Sequence, residues 1–306
     1  MKYRGNAGGR ETELVIEREG LRIGREFLDY ADVSELRPVN HRVFIDTASG
    51  NRIEISMLGF SYDGFWKELT DCYGNRSIEA LFIDEEQQML CEGEYDIQGA
   101  KGRANIALYP DSICILPPNR HAVRIPLCFT RELTPDEYSF RIVMESGATY
   151  TIGKMGYDTK PFIERATRAA AAVKSARAQA LGQTALAEPF TEKGLFRTGD
   201  TGNCWNAAVN GSVCALEFFT GEDTATYLYR FSESGETFLA NLREATEAMG
   251  IHREIIYLPD DQIAAKPLYR MAVDRSEAVR YLRARSDGRL IHSANHATRL
   301  REYLDL

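Results

Sequence analysis

His292 and His296 stand four residues apart, the spacing at which two imidazoles on one helix face can hold zinc. Ser293 lies between them and suits a helix cap. That leaves His292 outside the helix, and no third ligand is evident, so the pair reads as two surface histidines. Asp260-Asp261 offers paired carboxylates for metal or acid–base chemistry. It follows Pro259, where aspartate more commonly caps a helix. Gly199-Asp200-Thr201-Gly202 lacks the Gly-Lys-Ser/Thr that completes a phosphate-cradling loop, and Gly5 to Gly9 lacks a preceding strand. No Gly-x-Ser-x-Gly elbow is present, and none of the five histidines belongs to a recognisable nucleophile motif. The sequence thus assigns no catalytic residue, no metal ligand and no cofactor, and points to no specific small molecule. The six cysteines contain no Cys-x-x-Cys pair. A two-residue turn at Asn210-Gly211 sets Cys214 opposite Ala207 and Cys204 opposite Glu217, so the thiols read as reduced.

Basic side chains are the remaining candidates. Lys160, Arg165, Arg168, Lys174 and Arg177 fall on the outer face of a helix expected from Thr159 to about Leu181, and they are the proposed binding residues. The net charge of −8 is uneven: −9 over residues 1–98, +5 over 99–187 and −4 over 188–306. That balance argues against nonspecific nucleic-acid binding. The arginines from Arg270 to Arg301 lack aromatic pairs that would stack bases and read as a solvated helical face. The basic middle either meets an acidic partner or faces the acidic first part within the molecule; the internal reading is preferred. No apolar run approaches the roughly 18 residues of a membrane helix. The N-terminus lacks the apolar core of a signal peptide, so the expected location is the cytoplasm.

What must position these residues is a stretch written twice. Glu35, Leu36, Pro38, Ile45, Ser49, Gly50, Ile55, Gly59 and Phe65 recur as Glu132, Leu133, Pro135, Ile142, Ser146, Gly147, Ile152, Gly156 and Phe162, at a constant offset of 97. Val43 becomes Phe140 and stays apolar. An earlier hairpin, Leu14–Ile16 with Leu21–Ile23, matches Ile106–Leu108 with Ile113–Ile115 at an offset of about 92. The second copy therefore carries some five extra residues near Pro117 to His121, a loop by composition. Alternation around Ser49-Gly50 and Ser146-Gly147 predicts a second hairpin in each copy. Tyr62, Trp66, Leu69 and Tyr73, with Phe65 beside them, predict a covering helix. Phe162, Ala166, Ala169, Val173 and Ala176 predict its counterpart. Ser77 to Glu86 reads as a second short helix, and Met89 to Ile97 as a strand.

Short antiparallel strands followed by one capping helix, in about 90 residues, resemble a pleckstrin-homology-like domain of the bacterial or GRAM type. The residues that carry the likeness are the strands from Leu14 to Ile55, the Ser49-Gly50 turn and the helix with Trp66. In the second copy they are Ile106 to Ile152, Ser146-Gly147 and the helix from Thr159. The resemblance implies a sheet plugged by its helix and a role in binding lipid head groups, peptides or other domains, rarely in catalysis. Lipid-binding members place Lys/Arg clusters in the first hairpin loop; Arg18-Glu19-Gly20 and Pro110-Asp111-Ser112 make none.

The expected class is α+β, divided into 1–86, 87–182, a linker at 183–202, and an α+β domain at 203–306. Thr226 to His292 reads as β-α-β-β-α-β, the ferredoxin-like order, with strands at Arg253–Leu258 and Leu268–Val273. Asn295 to Leu304 reads as a final helix, and Glu217 to Leu239 weakly echoes the repeat. The expected function is a noncatalytic binding or scaffold protein whose partner is another protein or a second copy of itself. A peripheral adaptor for anionic membrane lipid is one alternative. The other is an enzyme with a cleft at the last domain containing His252, His292 or Asp260.

Overall fold

Apolar positions two apart make one face of each strand buried, and the turns between them decide where each strand ends. A computed structural model describes residues 2–83, 85–181, 196–198, 205–220, 223–249 and 254–291. The first unit holds β1 (Lys2–Ala7), β2 (Arg10–Ile16), β3 (Gly20–Ile23), β4 (Glu26–Asp29), β5 (Val33–Val39), β6 (Arg42–Thr47), β7 (Arg52–Ser56) and α1 (Tyr62–Glu79). The second holds β8 (Met89–Ile97), β9 (Ala100–Leu108), β10 (Ser112–Leu116), β11 (Val123–Pro126), β12 (Thr130–Pro135), β13 (Ser139–Met144), β14 (Thr149–Gly153) and α2 (Thr159–Leu181). Both sheets are antiparallel, in the orders β4-β3-β2-β1-β7-β6-β5 and β11-β10-β9-β8-β14-β13-β12.

The details of the two units also agree at the offset of 97. A register shift lies between Val33 and Glu35 in one and between Thr130 and Glu132 in the other. Gly50 and Gly147 turn with φ of 84° and 94°, a backbone region that glycine enters at little cost. Met57 and Lys154, at φ of 58° and 53°, turn each chain into its helix. The helices then bury Phe65, Leu69 and Tyr73 in one unit and Phe162, Ala166 and Ala170 in the other. The buried line of α1 thus runs through Phe65, while Tyr62 and Trp66 flank it, half-buried against the same core.

Two local expectations need correction. Ser77 does not cap a second helix; it is fully buried in the last turns of α1, which continues through a stretch with no helix-breaking proline. The Gly5 to Gly9 run, read as lacking a strand before it, overlaps and follows strand β1, which pairs with β2 along its length and with β7 at its end.

The third part holds β15 (Phe196–Thr198), β16 (Trp205–Asn210), β17 (Val213–Thr220), β18 (Asp223–Phe231), α3 (Gly235–Met249), α4 (Glu254–Tyr257), α5 (Asp260–Ala264), α6 (Pro267–Arg275), α7 (Glu277–Arg285) and β19 (Ser286–Ile291). Its antiparallel sheet runs in order from β15 to β19. Helix α3 buries Phe238, Leu242, Ala245 and Met249 at the steps of four, three and four read from the sequence. The β-α-β-β-α-β order is not what these residues form. Over the described residues, the strands expected at Arg253–Leu258 and Leu268–Val273 coincide with helices α4 and α6, and five helices separate β18 from β19. Short apolar runs such as Ile255-Ile256 carry no period of their own, and Pro267 takes the first turn of α6, where its missing N–H is harmless. Within the stretch read as linker, Phe196–Thr198 is an edge strand on β16. The rest of that stretch, the Gly199–Gly202 run and the helix expected at Asn295–Leu304 lie outside the described residues.

The β16–β17 turn is Gly211-Ser212, with Asn210 paired to Val213 and Val209 to Cys214. Glycine, at φ of 56°, stands first in that two-residue loop, as a hairpin turn of this kind requires. Cys214 therefore faces Val209 rather than Ala207, and Cys204 lies outside the described residues. Cys72, Cys91, Cys114, Cys128 and Cys214 are free thiols.

One apolar core runs continuously from the second unit into the third, from Phe140 and Phe162 to Phe238 and Leu282. The first unit has a core of its own around Leu14, Val43, Phe65 and Tyr73. Its contact with α6 is smaller: Ala31 and Ala80 meet Met271.

Candidate binding surfaces

The extra residues of the second unit have a structural use. Pro117 to His121 crosses to the first unit and lies along the outer edge of β5. Leu36 N–H donates to the Pro118 carbonyl at 2.8 Å and Arg120 N–H donates to the Ser34 carbonyl at 3.1 Å, with Glu35 bridged to Asn119. Asn119 Oδ1 accepts from His121 N–H at 2.8 Å and bends the loop back. An edge strand presents unpaired N–H and C=O groups that another extended segment can satisfy; here the chain does so itself.

In the second unit β12 is the matching edge, and the offset of 97 places Leu133 at the position of Leu36 and Arg131 at that of Ser34. Among the described residues no segment pairs with the outer side of β12. Beside its end opens a groove of about 670 Å³ between the β12–β13 turn and α2, lined by Pro135, Asp136, Glu137, Lys160, Ile163, Glu164, Thr167 and Arg168.

The five basic residues assigned to α2 separate. Lys160 and Arg168 line the groove with Glu164 between them, and Arg168 Nε donates to the Glu164 carbonyl at 3.3 Å. Arg165, one turn before Arg168, is exposed and does not line the groove. Lys174 reaches back to the Thr130 carbonyl at the start of β12. The Arg177 side chain lies outside the described residues. One helix face gathers positions three or four apart, and the row through Lys160 and Arg168 takes in an acid, so these residues form no single positive face.

A second concavity, about 340 Å³, lies where the three parts meet. Sequence reasoning missed it. The arginines lining it come from the Pro117–Ala122 loop (Arg120), from β11 (Arg124), from α6 (Arg275) and from α7 (Arg280). The acids come from α3 (Glu244, Glu247) and α7 (Glu277). Glu247, only 5% exposed, accepts from the backbone N–H of Ser146 at 2.9 Å and from its hydroxyl. Burial pushes the Glu247 carboxyl up to about 7, against the pull of the Ser146 hydrogen bonds and Arg243. Arg275 donates to the carbonyl and hydroxyl of Ser77 at 3.2 and 3.0 Å. Arg124 donates to Asp111 at 2.8 Å and to the Phe82 carbonyl at 3.3 Å.

The repeated Ser-Gly turn was the one available signal for this place. Ser146-Gly147 is read by a carboxylate 101 residues away, while its counterpart Ser49-Gly50 is exposed. Asp260, expected in a cleft, is instead exposed in the first turn of α5 and paired with Arg283, apart from the junction cavity. His252, His292 and His296 lie outside the described residues. Arg270 of α6 meets Asp32 of the first unit at 3.2 Å, and of the basic stretch 99–187, Lys101, Arg103 and Lys154 pair with Asp96, Glu92 and Glu94 of the acidic stretch 1–98, all on strand β8.

No protein-family model matches the chain, and a search of curated proteins finds no relative. Among the described residues no helix is long and apolar enough to cross a membrane.

Proposed function

We propose that the chain is a noncatalytic binding protein built on two pleckstrin-homology-like units, and that it holds an extended segment of a protein partner against β12 and α2. Seven antiparallel strands closed by a C-terminal helix, twice in the same order, support the family reading. The observation that carries the binding reading is the asymmetry of the two edges. β5 is taken by Pro118–Arg120, while among the described residues nothing pairs with the outer side of the equivalent β12, which lies beside a groove. Main-chain hydrogen bonds to such an edge supply affinity, and the neighbouring side chains supply selectivity. Half-buried Ile163 offers an apolar seat, with Lys160 and Arg168 opposed by Asp136, Glu137 and Glu164. The partner segment is therefore extended and carries charges of both signs.

Selection from a random phage-displayed peptide library tests this. Peptides that bind the full chain should lose affinity when Lys160→Glu and Arg168→Glu are combined. They should also lose it on Leu133→Pro, which deletes an outward N–H at an edge where proline is tolerated. Each lost main-chain bond is worth about 1 kcal/mol, roughly a fivefold change. Circular dichroism confirms that the variants fold. Failure to enrich any peptide, or equal binding by all folded variants, would sink the reading.

A further inference from the structure

We propose that the junction cavity binds a small molecule carrying both an anionic group, carboxylate or phosphate, and an ammonium group. Arg120, Arg124 and Arg275 come from one set of elements and Glu244, Glu247 and Glu277 from another, with Arg280 one turn along α7 from Glu277. Arg275 sits in the field of Arg120. Glu244 sits in the field of Glu277, and Glu247 in that of Glu244. Among the described residues no ion pair joins one of these arginines to one of these glutamates. Each is held by other groups instead: Arg275 by Ser77, Arg124 by Asp111 and Glu247 by Ser146. A cavity whose arginines and glutamates are held by other groups and not by one another matches a molecule with both charges.

Donor capacity is also left over among the arginines. Arg120 Nη2 and Arg124 Nε are buried without an acceptor, a condition that folded proteins rarely tolerate and that a bound anion relieves. Phe82, Tyr150 and Met249 add apolar lining. The volume, about 340 Å³, falls at the small end of ligand sites, which sets the ligand at the size of an amino acid or a phosphorylated amino alcohol. This site is separate from the β12–α2 groove, and its fate does not depend on the peptide reading.

Isothermal titration of the full chain decides the matter. The zwitterionic probes are L-glutamate, γ-aminobutyrate and O-phosphoethanolamine; the single-charge controls are inorganic phosphate, acetate and ethanolamine. At least one zwitterion should bind at least tenfold more tightly than any control. Glu244→Gln with Glu277→Gln, both at exposed positions, should weaken it tenfold or more, as should Arg120→Gln, while phage-selected peptides bind these variants as before. No zwitterion binding overturns the proposal. So does a control that binds as tightly as the zwitterions, or zwitterion binding unchanged in both variants. A carboxylate source and a phosphate source are told apart by which probe binds.

Discussion

At the scale of single residues, the Glu247 carboxyl sets a pH dependence. Its folded value of about 7 lies above its usual 4.5 because burial disfavours the charge. The folded chain keeps a proton there that the unfolded chain has released. That contribution to stability is complete below about pH 4.5 and is lost as the pH rises through about 7. The difference amounts to on the order of 3 kcal/mol. Ser146, Arg243, Glu244 and Tyr150 are the groups that face it. Urea unfolding at pH 5 and pH 8 should show the wild type less stable at pH 8 by that order, and Glu247→Gln should remove most of the difference. An unchanged pH dependence in the variant would contradict the assignment. The sequence offered little here: Ser146 was visible as a repeated turn residue, but nothing local marks Glu247 as its partner. A carboxylate in an amphipathic helix becomes special only through what packs on that helix.

At the scale of elements, the two covering helices were legible because their apolar residues keep helical spacing against polar neighbours. Phe65 and Phe162 are fully buried at equivalent positions. Replacing either by alanine should lower stability by about 3–5 kcal/mol, the usual cost of deleting a core phenylalanine. Five residues earlier, in each approach to its helix, Phe60 and Tyr157 stand fully exposed. Phe60→Ser and Tyr157→Ser should therefore change stability by no more than about 0.5 kcal/mol. Denaturant titration of the four variants measures the contrast directly. The elements misread were those whose local pattern is weak. Strand β1, Lys-Tyr-Arg-Gly-Asn-Ala, has little apolar alternation and is a strand because β2 and β7 flank it; tertiary pairing overrides propensity there. Helices α4 and α6 were read as strands because short apolar runs, Ile255–Leu258 in one and Met271–Val273 in the other, fit either period. The open edge of β12 was legible only in outline: the repeat predicts a matching edge, but not that five inserted residues cover one and leave the other.

At the scale of the whole molecule, the decisive feature is where apolar packing is continuous and where it stops. The second and third parts share one core, so they should unfold together. The first unit closes around its own core and is held to the rest by directional contacts and by an apolar cluster in which Ile78 and Leu81, at and just after the end of α1, pack on Ala107, Cys114 and Leu116 of the second unit. The directional contacts are the Pro118 and Arg120 main-chain bonds to β5, Arg275 on Ser77 and Arg270 on Asp32; toward α6 there is also a small apolar patch at Met271. Regions joined by few buried contacts open at lower free energy than the cores they connect. Arg275→Ala with Met271→Asp removes a bonded arginine and places a charge in that patch. The Leu36 amide, whose acceptor is the Pro118 carbonyl, should then exchange with solvent at least tenfold faster, while the amides of β13 and β14 stay protected. Thermal unfolding of the variant should separate into two steps, the first without loss of the Phe140–Phe162 packing at 6.1 Å between ring centroids. A single coincident transition with unchanged Leu36 exchange would mean that the first unit does not depend on these contacts for its place. The junction cavity would then rest on a more rigid frame than the separated cores imply.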